Sequence, residues 1–156
     1  MTAWLDDAEM RAWRGLVEVS TAVSAELNAE LDDEFGLGER DYAVLVQLSE
    51  APGRRLRMCD LAERLHLSPS GLTRRLDGLV RDGLVTREPS PDDRRVSLAV
   101  LTEDGFARLE EAAPAHVDGV RRHLLDHLTR QQIRQLGAAF ESVQRRRAGI
   151  GDAVAG

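Results

Sequence analysis

The chain of 156 residues has a single cysteine, Cys59, and no lysine. A lone thiol closes no disulfide framework and fits a reducing compartment, the cytoplasm. No apolar run is long enough to span a bilayer, so no membrane span is expected. Met1 to Arg14 carries acids and lacks the apolar core of a signal peptide. Repeats and long low-complexity stretches are missing as well. So are a glycine-rich phosphate loop, a GxSxG elbow, an HExxH pair and a cysteine cluster. His66, His116, His123 and His127 are the only histidines. His123 and His127 stand four apart, a metal-capable spacing on one helix face, but no third ligand accompanies them. No catalytic residue, metal or cofactor is therefore expected, and the chain is not read as an enzyme.

What is present is centred on Leu61 to Gly105. The order there is helix, tight turn, helix, then a two-stranded ribbon with a basic tip. Ser68 fits an N-cap, because its hydroxyl can accept from a backbone N–H left over in the first turn. Pro69 at the first helical position loses nothing by lacking an N–H. Leu72, Leu76, Leu79 and Val80 then fall on one helix face. Ser70, Arg74, Asp77 and Arg81 lie opposite, with Thr73 and Arg75 on the flanks. Gly83 closes the helix. Upstream, Met58 to Leu65 reads as a short helix, with small Ala62 where two crossing helices approach. His66-Leu67 supplies a helix-turn-helix connection. Downstream, Leu84 to Glu88 and Val96 to Leu101 read as strands around a Pro/Ser/Asp cluster that ends in Arg94-Arg95. An apolar back with an Arg-bearing front suits the DNA major groove. An Arg on the ribbon tip suits the minor groove, where the negative potential is enhanced. The same face would also suit an acidic protein surface, and an ordinary solvated helix face looks alike.

Net charge of −6 runs against DNA binding, but its distribution does not. Residues 54–95 hold ten Arg against seven Asp and Glu, a balance of +3, while the rest holds eleven against twenty, −9. Positive charge is concentrated where the reader is, so affinity should depend steeply on salt.

Asp93-Arg94-Arg95 followed by Leu101-Thr102-Glu103-Asp104-Gly105 resembles the D-x-R…LT-x-x-G signature of MarR-family transcriptional regulators. Leu76 to Val85 is similar to the end of that family's recognition helix, and Leu61 to Leu65 to the helix before it. The resemblance implies a homodimeric bacterial DNA-binding protein, commonly a repressor released by a small molecule or by thiol oxidation. The expected DNA contacts are Ser68, Ser70, Thr73, Arg74, Arg75, Arg94 and Arg95, with Asp93 holding the wing turn by pairing locally. Arg54, Arg55 and Arg57 could meet phosphates.

The flanks read as amphipathic helix. The first, from about Asp7 to Glu34, carries Trp13, Leu16, Val17, Val23, Leu27 and Leu31 on one face and is broken by Gly36 and Gly38. A second, Arg40 to Glu50, turns Tyr42, Leu45, Val46 and Leu48 inward. After Thr102, a third keeps helical spacing from Phe106 through Leu124 past Pro114, which should kink or split it. Thr129 with Gln132 fits a capping box for the last helix, whose stripe is Ile133, Leu136, Phe140 and Val143. These stripes have no separate partner in the sequence, and a self-paired dimer is the economical occupant. The expected fold is mainly α with a small β wing: a winged helix-turn-helix dimerising through its N- and C-terminal helices. As one compact domain it divides into a dimerisation helix (1–36), the DNA-binding region (37–103), C-terminal dimerisation helices (104–148) and a flexible tail (149–156).

Two effector readings stand beside this. Trp13, Asp41, Thr73 and Arg75 resemble the Trp, Asp, Ser-x-Arg set of the urate-responsive branch of the family, with Thr in place of Ser, which implies a small anionic or phenolic ligand. Cys59 is a candidate redox switch, or a small half-buried residue at the start of its helix.

Overall fold

The computed structural model describes residues 4–154, with side chains described through Arg147. Helix α1 spans Asp7–Phe35 and is started by a reciprocal cap. Asp6 Oδ1 accepts from the N–H groups of Ala8 and Glu9, while Glu9 Oε2 accepts from Asp6 N–H. Helix α2 spans Glu39–Ser49, and a single 3-10 turn at Pro52–Arg54 leads into strand β1, Arg55–Arg57. Helix α3 is Met58–Arg64 and helix α4 is Pro69–Arg81. Strands β2, Val85–Pro89, and β3, Ser97–Leu101, follow, then helix α5, Glu103–His123. A 3-10 turn at Leu125–His127 precedes helix α6, Arg130–Val154. The sheet is antiparallel in the order β1-β3-β2, with Leu56 opposite Ala99 on one side and Arg87 opposite Ala99 on the other.

One core holds this reader together. Leu31 and Leu37 meet Val44, Leu45 and Leu48 of α2, Leu61 and Ala62 of α3, and Leu72, Leu76 and Leu79 of α4. Val85, Ala99 and Leu101 close it from the sheet. Burying a leucine contributes roughly 1.5–3 kcal/mol, so the three leucines of α4 anchor its back firmly and leave its front outward. Contacts divide the chain inside α5 into two units, Met1–Gly119 and Val120–Gly156.

Several details depart from the sequence pattern. Val80 is 37% exposed. It sits one residue past Leu79 and so is rotated about 100° off the buried stripe. Val46 is half-buried and Val44 is fully buried in its place. Pro89 belongs to β2, opposite Ser97, rather than to the turn; β2 is an edge strand, where proline is tolerated. Helix α5 runs through Pro114 without splitting, held by buried Leu109 and Ala112 before it and Gly119 after it. His123 ends α5 and His127 lies in the following 3-10 turn, so the two do not share one helix face. Cys59 is exposed, not half-buried. The expected tail from 149 falls on the last turns of α6, except Ala155 and Gly156, which lie outside the described residues.

Candidate nucleic-acid interface

The turn between α3 and α4 is tight. Leu67 N–H donates to Ala62 O at 2.9 Å, and His66 adopts a left-handed φ of 53° to make the bend. Ser68 then caps α4: its Oγ accepts from Gly71 N–H at 3.1 Å. Ser68 Oγ lies 3.3 Å from Ser70 Oγ, so both hydroxyls sit at the exposed helix start. Free backbone N–H groups there favour an anion such as a phosphate.

The front of α4 sorts its residues into different tasks. Arg74 is exposed and makes no hydrogen bond or ion pair among the described residues. Thr73 is exposed, but its hydroxyl proton goes back to Pro69 O at 2.9 Å. Arg75 points the other way: its Nη1 meets Asp41 Oδ1 of α2 at 3.1 Å, with the guanidinium side chain only 22% exposed. Asp41 and Arg75 of the suspected effector set are therefore together. Trp13 lies on α1, more than half exposed.

The wing is organised by Asp93. Its Oδ1 accepts from Arg95 N–H at 3.0 Å and Nε at 3.1 Å, and its Oδ2 from Nη2 at 3.1 Å. The side-chain bonds, then the backbone bond, hold the Asp93 carboxyl below the usual carboxylate range. Buried Ser90 steadies the other side, donating its N–H to Val96 O at 2.8 Å. Arg94 is exposed and unpaired among the described residues. Arg95 is 91% exposed, yet its fork is occupied by Asp93. To enter a groove it must share or release that carboxylate, whereas Arg94 is available as it stands.

The L-T-x-x-G segment joins the wing to α5. Thr102 Oγ1 accepts from Gly105 N–H at 2.9 Å and faces the carbonyls of Gly83 and Leu84 at 2.8 and 3.0 Å. A Cβ at Gly105 would lie 2.0 Å from Leu84 O, so only glycine fits. Gly83, at φ +74°, supplies the left-handed turn that sends α4 into β2.

Two arginines, Arg54 and Arg87, carry contacts beyond the pattern read from sequence. Arg54 is committed to the protein: Nη1 meets Glu103 Oε1 at 3.0 Å and its guanidinium stacks 3.6 Å from the Phe106 ring centre. Arg55 and Arg57 are exposed on β1. Arg87 was not singled out from the sequence, yet it spans from β2 to α4, with Nη2 at 2.8 Å from Asp77 Oδ1 and 2.9 Å from Thr73 O. The available signal was its position two residues after buried Val85, which puts it on the same side of β2. Cys59 Sγ lies 3.4 Å from Asp60 Oδ1, a carboxylate rather than the cation that activates reactive thiols. Behind the reader, the Tyr42 and His116 rings stack at 4.4 Å. Burial pushes the Tyr42 phenol up and the His116 imidazole down, the latter opposed by Glu39.

A helix-turn-helix with an outward Arg, backed by a three-stranded sheet with a basic tip, defines a winged helix-turn-helix. The family model described as MarR family matches residues 35–96. The HTH-type transcriptional repressor YetL of Bacillus subtilis is 33% identical over 125 residues, covering 76% of this chain and 75% of YetL. AbsC, a MarR-family transcriptional regulator from Streptomyces coelicolor, superposes with a TM-score of 0.86 at 39% identity, over 95% of this chain and 99% of AbsC. Sco3205 of the same organism, solved in complex with DNA, gives 0.86 at 36% identity, over 92% of this chain and 90% of its own. The chain belongs to the MarR family of transcriptional regulators. These relatives are regulators and not enzymes. No helix among the described residues is long and apolar enough to cross a membrane.

Proposed function

We propose that the protein is a cytoplasmic homodimeric repressor that binds a pseudo-palindromic operator and is released by a small effector. The observation that carries the DNA reading is the front of α4, where Ser70 and Arg74 stand exposed and Arg74 has no partner among the described residues. In this reading Arg74 reads a base edge in the major groove, aided by Ser70 and the accepting lone pairs of Thr73. Ser68 and the first turn of α4 meet a phosphate, and Arg94 with Arg95 approaches the minor groove. Dimerisation is supported by apolar side chains left exposed on α1 (Trp13, Leu16, Val17) and on α6 (Phe140, Val143). Two-fold pairing would set the α4 helices about one DNA turn apart, ~34 Å. The 1–36 and 104–148 segments are then the pairing surfaces and 37–103 the reader.

Fluorescence anisotropy against the protein's own upstream intergenic DNA and a scrambled duplex, at two salt concentrations, tests this. The expected result is preferential, salt-sensitive binding with two subunits per site. Equal affinity for both duplexes would favour a protein-docking winged helix.

The Asp41–Arg75 pair supports an effector reading. An anionic or phenolic ligand at this pair would compete with Asp41 for Arg75 and so act on α4 itself, with Trp13 and Thr73 joined to the set by the family resemblance alone. Thermal shift with urate and with salicylate is the test; no shift at millimolar ligand would remove it.

A further inference from the structure

The front of α4 carries an acid where a phosphate-facing surface should carry none. Asp77 is four residues after Thr73 and on the outward side, 58% exposed. Left alone, its carboxylate would repel the DNA backbone. It is not alone: Arg87 of β2 reaches across to it. One nitrogen, Arg87 Nη2, donates both to Asp77 Oδ1 at 2.8 Å and to Thr73 O at 2.9 Å. The two acceptors are about one helical turn apart, so the guanidinium lies along the Thr73–Asp77 flank of α4. Its side chain is only 32% exposed, so the contact is partly shielded from solvent. Strand β2 is also the strand that enters the wing turn, with Pro89 opposite Ser97 next to that turn.

We infer that Arg87 is a positioning residue of the DNA interface. It fixes the wing to the recognition helix and cancels the charge of Asp77, without itself reading DNA. Two reading elements that enter different grooves must keep a set separation, and a clamp at this point holds it before DNA arrives. The ordering cost is then met on folding rather than on binding. The inference rests on the DNA reading above.

The test is a double-mutant cycle with Arg87→Ala, Asp77→Asn and the pair, read by anisotropy on the own-promoter and scrambled duplexes across a salt series. Wild type runs in the same assay, so absence of any DNA binding would fail the DNA reading itself rather than the clamp. Arg87→Ala should weaken operator binding by about tenfold, while Asp77→Asn alone costs little, because Thr73 O and the Asn Oδ1 still accept from Arg87 and no uncompensated acid is left to repel the backbone. In the Asp77→Asn background, loss of Arg87 should cost less than about threefold. The ratio of operator to scrambled affinity should fall in Arg87→Ala, a readout that simple destabilisation does not move once the folded fraction is measured. Equal losses in both backgrounds, with a salt slope lowered by about one, would make Arg87 an ordinary phosphate contact and overturn the inference. Unchanged binding in Arg87→Ala would overturn it too. Should Arg87→Ala not fold, Arg87→Lys keeps the charge but not the fork, and it should retain the neutralisation while losing part of the specificity ratio. A Lys variant indistinguishable from wild type in that ratio would count against a geometric clamp.

Discussion

The reader and the terminal helices treat their apolar side chains in opposite ways. In the reader, Leu45, Leu48, Leu61, Leu72, Leu76 and Val85 are fully buried within one copy of the chain. On the first half of α1, Trp13, Leu16 and Val17 are 42–56% exposed, and on α6 Phe140 and Val143 are 42% and 54% exposed. Helix α1 makes the contrast within itself: Leu27 and Leu31 are buried at 4% and 1%, while the residues two to four turns earlier are not. A repeated apolar stripe therefore says that something covers a helix face. It does not say whether the cover is the same chain or a second one.

The sharpest way to break that contrast is to add a single methyl group where the reader meets α5. Gly105→Ala places a Cβ 2.0 Å from the Leu84 carbonyl, against backbone that cannot step aside. We expect a loss of about 3 kcal/mol or more, measured by thermal or urea unfolding. A variant as stable as wild type would mean that the wing–α5 junction is loose.

Next comes the exposed stripe. Phe140→Asp should leave the protomer folded but separate the proposed dimer. Each copy loses roughly 1.5–3 kcal/mol of burial, so the dimer dissociation constant should rise by about a hundredfold or more. Sedimentation over a concentration series is the check. A wild-type protein that is monomeric at micromolar concentration would dissolve the contrast altogether.

Arg74→Ala removes a side chain that supports nothing inside the protomer. Stability should be unchanged, and operator affinity should fall by about 1–3 kcal/mol with relaxed specificity at one base position. Competition with single-base operator variants separates this from a uniform phosphate loss.

A smaller effect sharpens the contrast on α6. A Cβ at Gly137 meets nothing within 4 Å in one copy of the chain. Gly137→Ala should therefore add about 0.5–1 kcal/mol through helix propensity. A loss of stability instead would mark Gly137 as a place where the partner helix approaches closely.

The smallest expected effect concerns pH. Burial lowers the folded His116 imidazole below its usual value of 6.5, against the pull of Glu39. The unfolded chain then binds the extra proton first. Stability is fully present above the unfolded value and declines as pH falls through the folded one. Melting temperature should drop on going from pH 7.5 to 5.5, and His116→Gln should flatten that slope. An unaltered slope in the variant would assign the acid sensitivity elsewhere.

Much of the fold was legible because local chemistry dictates it. Ser68-Pro69, Thr102 with Gly105 and Thr129 with Gln132 are caps whose geometry follows from neighbours three residues apart. Leu72, Leu76 and Leu79 follow from helical periodicity. Val80 did not, because one residue of rotation separates a buried position from an exposed one and periodicity alone tolerates that error. Arg54 and Arg87 were equally illegible as structural residues. Their partners, Glu103 and Asp77, lie 49 and 10 positions away, and an arginine side chain announces no partner from composition alone. Arg95 shows the same limit at short range: Asp93 was expected to pair locally, but that the pair occupies the fork of the expected groove arginine is a matter of side-chain geometry.

The amino-acid sequence by itself determined the order of elements, the capped recognition helix, the basic wing and the concentration of positive charge in residues 54–95. Each of these depends on interactions between near neighbours or on composition. Only the tertiary structure decided which arginines remain available. Arg54, Arg75 and Arg87 are held by Glu103, Asp41 and Asp77, and Arg95 by Asp93, while Arg74 and Arg94 are left without a partner among the described residues. The physical reason is that a guanidinium is satisfied by whatever acceptor the fold brings within about 3 Å. That distance is set by the packing of helix on sheet, which no stretch of sequence contains.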